Sequence, residues 1–91
     1  MDHISAVSQE APSFMSIRVQ LFAYLSRFSP SGEEKFRLEL EPGATVGWLL
    51  NKLQIPADFE KVVLVNGQRS SHSTRLAEED DVFIFPPAAG G

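Results

Sequence analysis

Apolar residues fall on every second position in two stretches near the amino end. Ile17, Val19, Leu21 and Ala23 alternate with Arg18, Gln20, Phe22 and Tyr24, and Phe36, Leu38 and Leu40 alternate with Arg37, Glu39 and Glu41. A period of two marks a strand with one apolar face. The pattern therefore predicts two strands paired as a hairpin through Ser29-Pro30-Ser31-Gly32, where proline and glycine favour a turn. Pro42-Gly43 ends the second strand, and the period then changes. Val46, Leu49, Leu50 and Leu53 stand at i, i+3, i+4 and i+7, one stripe of a helix, with the Thr45 hydroxyl placed to cap its free amides and Pro56 to close it. Gly47 in the first turn costs about 1 kcal/mol relative to alanine, so this helix depends on the packing of its leucine stripe.

Val62-Val63-Leu64-Val65 is apolar on both parities, as an interior strand is, and Asn66-Gly67 after it suits a type I′ turn. Residues 68–74 are polar and predict only a short edge strand, with Leu76 returning to the core. The acidic run Glu78-Glu79-Asp80-Asp81, read as a solvated turn able to steer a basic partner, leads into a last strand, Val82-Phe83-Ile84-Phe85. This order predicts an α+β fold: a mixed sheet of four to five strands with one main helix across one face. A β-grasp (ubiquitin-like) arrangement satisfies it, the last strand running beside and parallel to the first by way of a long crossover. Residues 1–14 are expected to be a disordered tail, 15–85 the β-grasp domain and 86–91 a projecting tail.

Composition narrows the chemistry. The chain has 91 residues, no cysteine, two histidines (His3 and His72) and a formal net charge of -4. Thiolate nucleophiles, disulfides and cysteine-ligated metals are excluded, and two histidines are a poor basis for a metal site or a serine triad. A self-contained enzyme is not expected. An acidic chain with pI near 5.0 is a poor ligand for nucleic acid. No apolar run approaches the roughly 20 residues that cross a bilayer, and the first residues lack the marks of a secretory signal, so the expected compartment is the cytoplasm.

The final residues, Pro86-Pro87-Ala88-Ala89-Gly90-Gly91, have their own logic. Two prolines favour a stiff, extended exit from the last strand, and the residues beyond them carry at most a methyl group. Such a segment can thread a narrow channel in another protein and present an unhindered Gly91 carboxylate. With Val19-Gln20-Leu21-Phe22-Ala23, Pro42-Gly43-Ala44-Thr45-Val46, Leu49-Leu50, Val65-Asn66-Gly67, Leu76 and Asp80-Asp81-Val82, this ending resembles the MoaD/ThiS family of ubiquitin-like sulfur carriers over residues 16–91. The likeness is greatest to the small subunit of molybdopterin synthase.

The resemblance implies a cycle on Gly91, with Gly90 keeping the approach open. An adenylyltransferase resembling ubiquitin-activating enzymes would use ATP to adenylate the carboxylate, a persulfide donor would displace AMP, and the resulting thiocarboxylate would enter the large synthase subunit and give its sulfur to a pterin precursor. No cofactor would be held permanently. A carboxylate becomes a competent electrophile only when one oxygen is made a leaving group, which explains the need for ATP. Alternatives are a carrier for thiamine or tungsten-cofactor pathways, a ubiquitin-like modifier joined to lysines through Gly91, and a β-grasp binding module whose Gly-Gly is accidental.

Strand parity completes the expected site. If Ile17, Val19 and Leu21 face the helix, Phe22 and Tyr24 face the other way, as do Phe83 and Phe85 in the last strand. Phe22, Phe83 and Phe85 then form an aromatic docking patch beside the tail of Pro86, Pro87, Ala88 and Ala89. Two departures from the family stand out. Glu79 occupies a position that is often glycine, at a cost of about 1 kcal/mol if the turn needs positive φ. Arg69 replaces an apolar partner contact. His72 is expected to be solvated, and Trp48 to pack at the helix edge.

Overall fold

The computed structural model describes residues 14–87. The expectations for the amino-terminal tail through residue 13, and for Ala88, Ala89, Gly90 and Gly91, lie outside the described residues. Five strands form one mixed sheet: β1 (Met15–Leu21), β2 (Lys35–Leu40), β3 (Val62–Val65), β4 (Gln68–Arg69) and β5 (Asp81–Phe85), in the order β2-β1-β5-β3-β4. β5 pairs parallel with β1 and antiparallel with β3, so the last strand occupies the centre. One helix, α1 (Val46–Lys52), packs on one face, completing the β-grasp layout.

The inward positions predicted for the first and last strands and the helix stripe lie in the core. Ile17, Val19 and Leu21 of β1, Val82 and Ile84 of β5, and Val63 and Val65 of β3 are buried against Val46, Leu49, Leu50 and Leu53 of the helix. Every amide in the first turn of α1 has a partner. Val46 and Gly47 donate to the Thr74 and His72 carbonyls at 2.9 Å, and Trp48 donates to Thr45 Oγ1 at 3.2 Å. Gly47 is therefore more than a weak helix former: a Cβ there would lie 3.3 Å from the His72 carbonyl oxygen, closer than most side chains tolerate. His72 itself is exposed, as expected, but its main chain caps the helix.

Three local expectations need correction. β1 stops at Leu21, so Ala23 and Tyr24 do not continue its alternation. Ala23 turns left-handed (φ 56°) and starts a 3-10 helix, Ala23–Phe28, that drops Leu25 into the core, leaving Ala23 exposed. The two strands thus pair without a tight hairpin turn between them. The helix ends before Pro56 acts: Gln54 is left-handed (φ 63°), donating to the Asn51 carbonyl while Ile55 donates to that of Leu50. This is a Schellman cap built without glycine, with the apolar residues at its two ends, Leu50 and Ile55, both buried. The acidic run, finally, is more than a solvated turn: Glu78 and Glu79 are exposed in a turn as expected, but each of the four residues is bonded within the fold and Asp80 is buried.

Candidate docking surface and tail root

β5 is anchored at its start by that acidic run. Asp80 is buried, its Oδ1 accepting from Asn66 Nδ2 and its Oδ2 from the Ala77 amide, both at 2.8 Å. Asn66 and Gly67, both at positive φ as the turn requires, bring the β3–β4 turn against it, and Asn66 exchanges further bonds with the Asp81 main chain. Glu78 Oε1 accepts from the Ser16 amide at 2.8 Å. Glu79 is left-handed (φ 68°), the positive φ that carries the expected cost for a residue other than glycine. Its side chain provides compensation: Oε1 accepts from Arg18 Nη1 at 2.7 Å and Oε2 from Arg37 Nη2 at 2.6 Å. Arg18 Nε also donates to Asp81 at 2.5 Å, and that hydrogen bond holds the Asp81 carboxyl below the usual range while raising the guanidinium.

At the other end of β5 the outward side chains are aromatic. Phe22 lies one residue beyond β1 but remains extended, and its amide donates to the Ile84 carbonyl at 3.0 Å. Its ring meets Phe83 at 5.6 Å and Phe85 at 5.9 Å, both edge to face, a preferred geometry for aromatic pairs. Phe83 is 39% exposed, while Phe22 and Phe85 are half-buried. The three rings predicted from parity are thus brought together beside Pro86 and Pro87.

Cross-strand register extends this face. Arg69, Leu64, Phe83, Gln20 and Lys35 align across β4, β3, β5, β1 and β2, so exposed Arg69 shares the outer face with the aromatic cluster. Beside them Arg18, Gln20, Lys35, Arg37, Asp81 and Phe83 line a shallow open groove of about 420 Å³. Tyr24 belongs elsewhere. The 3-10 helix places it against Phe59 (5.6 Å), which also meets Phe28 (5.5 Å), in a second aromatic group that sequence alternation missed because β1 ends early. The charged clamp was also missed: outward parity marked Arg18 and Arg37, but only the topology pairs them with Glu79.

The described residues hold no group of three or more His, Asp or Glu side chains suited to a metal, and none of their helices is long and apolar enough to cross a membrane. The model of the ThiS family matches residues 19–91. The chain belongs to the ThiS family. Among solved structures, small archaeal modifier protein 1 from Haloferax volcanii is 28% identical, covers 84% of this chain and 99% of its own, and superposes with a TM-score of 0.68. The HVO 2177 protein of the same organism is 26% identical, with coverage of 86% and 88% and a TM-score of 0.70. A chain in the complex of subunits 1 and 2 of molybdopterin-converting factor from Helicobacter pylori 26695 is 22% identical, with coverage of 85% and 100% and a TM-score of 0.56, a likeness of fold alone. No curated protein matches the chain. This ThiS-family chain is thus a ubiquitin-like carrier or modifier, and carriers of the family hold no permanent cofactor.

Proposed function

We propose that this protein is a sulfur carrier that works through Gly91 as the small subunit of a molybdopterin synthase. The observation that carries the reading is the Phe22–Phe83–Phe85 cluster on the outer face of β5, directly beside the proline pair that leads to Ala88, Ala89, Gly90 and Gly91. The cluster docks first on an adenylyltransferase and then on a large synthase subunit. Each partner receives the tail in its own active site. Arg69, on the same face, selects a partner with an acidic group opposite it.

The Gly91 carboxylate, ionised at neutral pH, attacks the α-phosphorus of ATP held by the activating partner, and pyrophosphate leaves. A persulfide sulfur attacks the acyl carbon and AMP departs. Reduction of the resulting acyl disulfide by a thiol releases the thiocarboxylate. None of these steps requires a side chain of this protein. Its contribution is to present the carbonyl without steric hindrance and to hold the tail where both partners can reach it.

Intact mass spectrometry after incubation with ATP, an activating enzyme and a sulfur donor tests the chemistry. A gain of about 16 Da, oxygen replaced by sulfur, is expected, and deletion of Gly91 abolishes it. Co-purification with a synthase large subunit tests the pathway; gain of mass without that binding favours a thiamine or tungsten-cofactor carrier. A second reading, a protein modifier, is favoured by the 28% identity to the Haloferax modifier protein. Lysine-linked adducts recovered from cells would establish it.

A further inference from the structure

Among the described residues β2 is an edge of the sheet, and its pattern is self-complementary. β2 and the residue after it read Lys35-Phe36-Arg37-Leu38-Glu39-Leu40-Glu41, with Lys35, Arg37, Glu39 and Glu41 exposed, Phe36 and Leu38 half-buried and Leu40 buried. Leu21 donates to the Glu34 carbonyl at 2.9 Å, which sets the phase of the β1–β2 ladder. The pairs Val19·Phe36, Ile17·Leu38 and Met15·Leu40 therefore turn their main chains toward each other. Lys35, Arg37 and Glu39 turn their amides and carbonyls to the open edge.

We propose that β2 pairs antiparallel with β2 of a second copy of this chain, centred on Leu38, forming a two-fold dimer with one continuous sheet. Two independent constraints select this register. The backbone phase requires partners from the set 35, 37, 39 and 41 to oppose one another, since only those residues offer free hydrogen-bonding groups. Of the registers this allows, centring on Arg37 sets Arg37 against itself, and centring on Glu39 sets Glu39 against itself. Centring on Leu38 opposes Arg37 to Glu39 and Lys35 to Glu41, each pair occurring twice by symmetry. Every outward pair is then opposite in charge. On the helix side the same register sets Phe36 against Leu40 and Leu38 against Leu38, covering the apolar surface that β2 leaves half-exposed.

Charges on an edge strand normally prevent pairing with other chains. Here they discriminate instead, since a strand of the same sequence run antiparallel supplies the reversed charge pattern. The main-chain bonds lie within the two Arg37·Glu39 pairs, because the Glu41 carbonyl already accepts from Ala44. Arg37 keeps its Glu79 bond through Nη2 and its Ser16 bond through Nε, leaving Nη1 for the Glu39 of the other copy. β1 separates β2 from β5, so the Phe22–Phe83–Phe85 cluster stays uncovered in the dimer.

A contact through one strand edge is small, and association is weak and concentration-dependent. Sedimentation velocity of the full chain from about 10 μM to about 1 mM, the span in which small interfaces assemble, is expected to shift from monomer to dimer. Amide exchange at Arg37 and Glu39 should slow over the same range, while the Phe36 and Leu38 amides, already in the β1 ladder, change little. Lys35→Glu and Glu41→Lys each turn two attractive pairs into repulsive ones and should weaken dimerisation about tenfold or more. The double variant Lys35→Glu/Glu41→Lys restores it. Neither residue forms an ion pair among the described residues, so the variants should melt like the parent. A chain that stays monomeric throughout, or a dimer that ignores the single variants or is not restored by the double, overturns the proposal.

Discussion

The two ends of β5 are built from opposite materials. At its start, Glu78, Glu79, Asp80 and Asp81 are engaged in bonds to Ser16, Arg18, Arg37, Asn66 and Ala77, the Asp80 carboxylate buried and the Glu79 and Asp81 ion pairs at the surface. At its end, Phe83 and Phe85 lie on the outer face with Phe22, and Phe83 remains exposed. The whole strand is only five residues long. Hydrogen bonds tolerate little movement, so clamping one end of a central strand lets the other end carry an apolar surface without losing its position.

The contrast can be broken most severely at the anchored end. Asp80→Ala leaves the Ala77 amide and the Asn66 side chain without their buried acceptor, an expected loss of about 3 kcal/mol in urea unfolding. The same truncation at the open end should act on binding instead. Phe83→Ala is expected to weaken capture by the proposed partner, a synthase large subunit, by about 2 kcal/mol, roughly 30-fold by calorimetry, with a nearly unchanged unfolding midpoint. If Phe83→Ala unfolds the protein as Asp80→Ala does, the two ends do not divide their labour.

Glu79 sharpens the comparison because strain and ion pairing meet in one residue. Glu79→Gly relieves the left-handed backbone and loses the arginines; Glu79→Ala keeps the strain and loses them too. The glycine variant should therefore be more stable than the alanine variant by about 1 kcal/mol in chemical denaturation. The smallest effect is on pH dependence. The folded-state pKa of Asp81 is lowered by Arg18, so its contribution to stability is present above the unfolded value, about 3.9. It is lost as pH falls from there through the lower folded value. Asp81→Asn should flatten the acid limb of the denaturation midpoint measured from about pH 5 down to about pH 2.

Much of the fold was legible in local pattern because alternation and capping act over a few residues. Val82 and Ile84 inward with Phe83 outward, the Thr45 cap and the Asn66-Gly67 turn follow from parity, a hydroxyl position and permitted φ values. Phe22 was legible for the same reason, since its backbone is still extended. Tyr24 was not, because the chain had already turned at Ala23, an alanine with no local signal for left-handed geometry. Gln54 misled in the same way. Its left-handed cap is held by the burial of Leu50 and Ile55 in the core, which overrides the preference for glycine.

The sequence by itself determined which residues face the core, where the one main helix starts, and that the aromatic side chains of the first and last strands share a face. These depend on periodicity and on bonds between near neighbours. Tertiary structure alone decided that Glu79 reaches Arg18 and Arg37, that Asp80 is buried against Asn66, and that β2 lies at an edge of the described sheet. The residues of the Glu79 clamp stand 42 and 61 positions apart along the chain, and only the parallel docking of β5 on β1, with β2 on its far side, brings them within hydrogen-bonding distance.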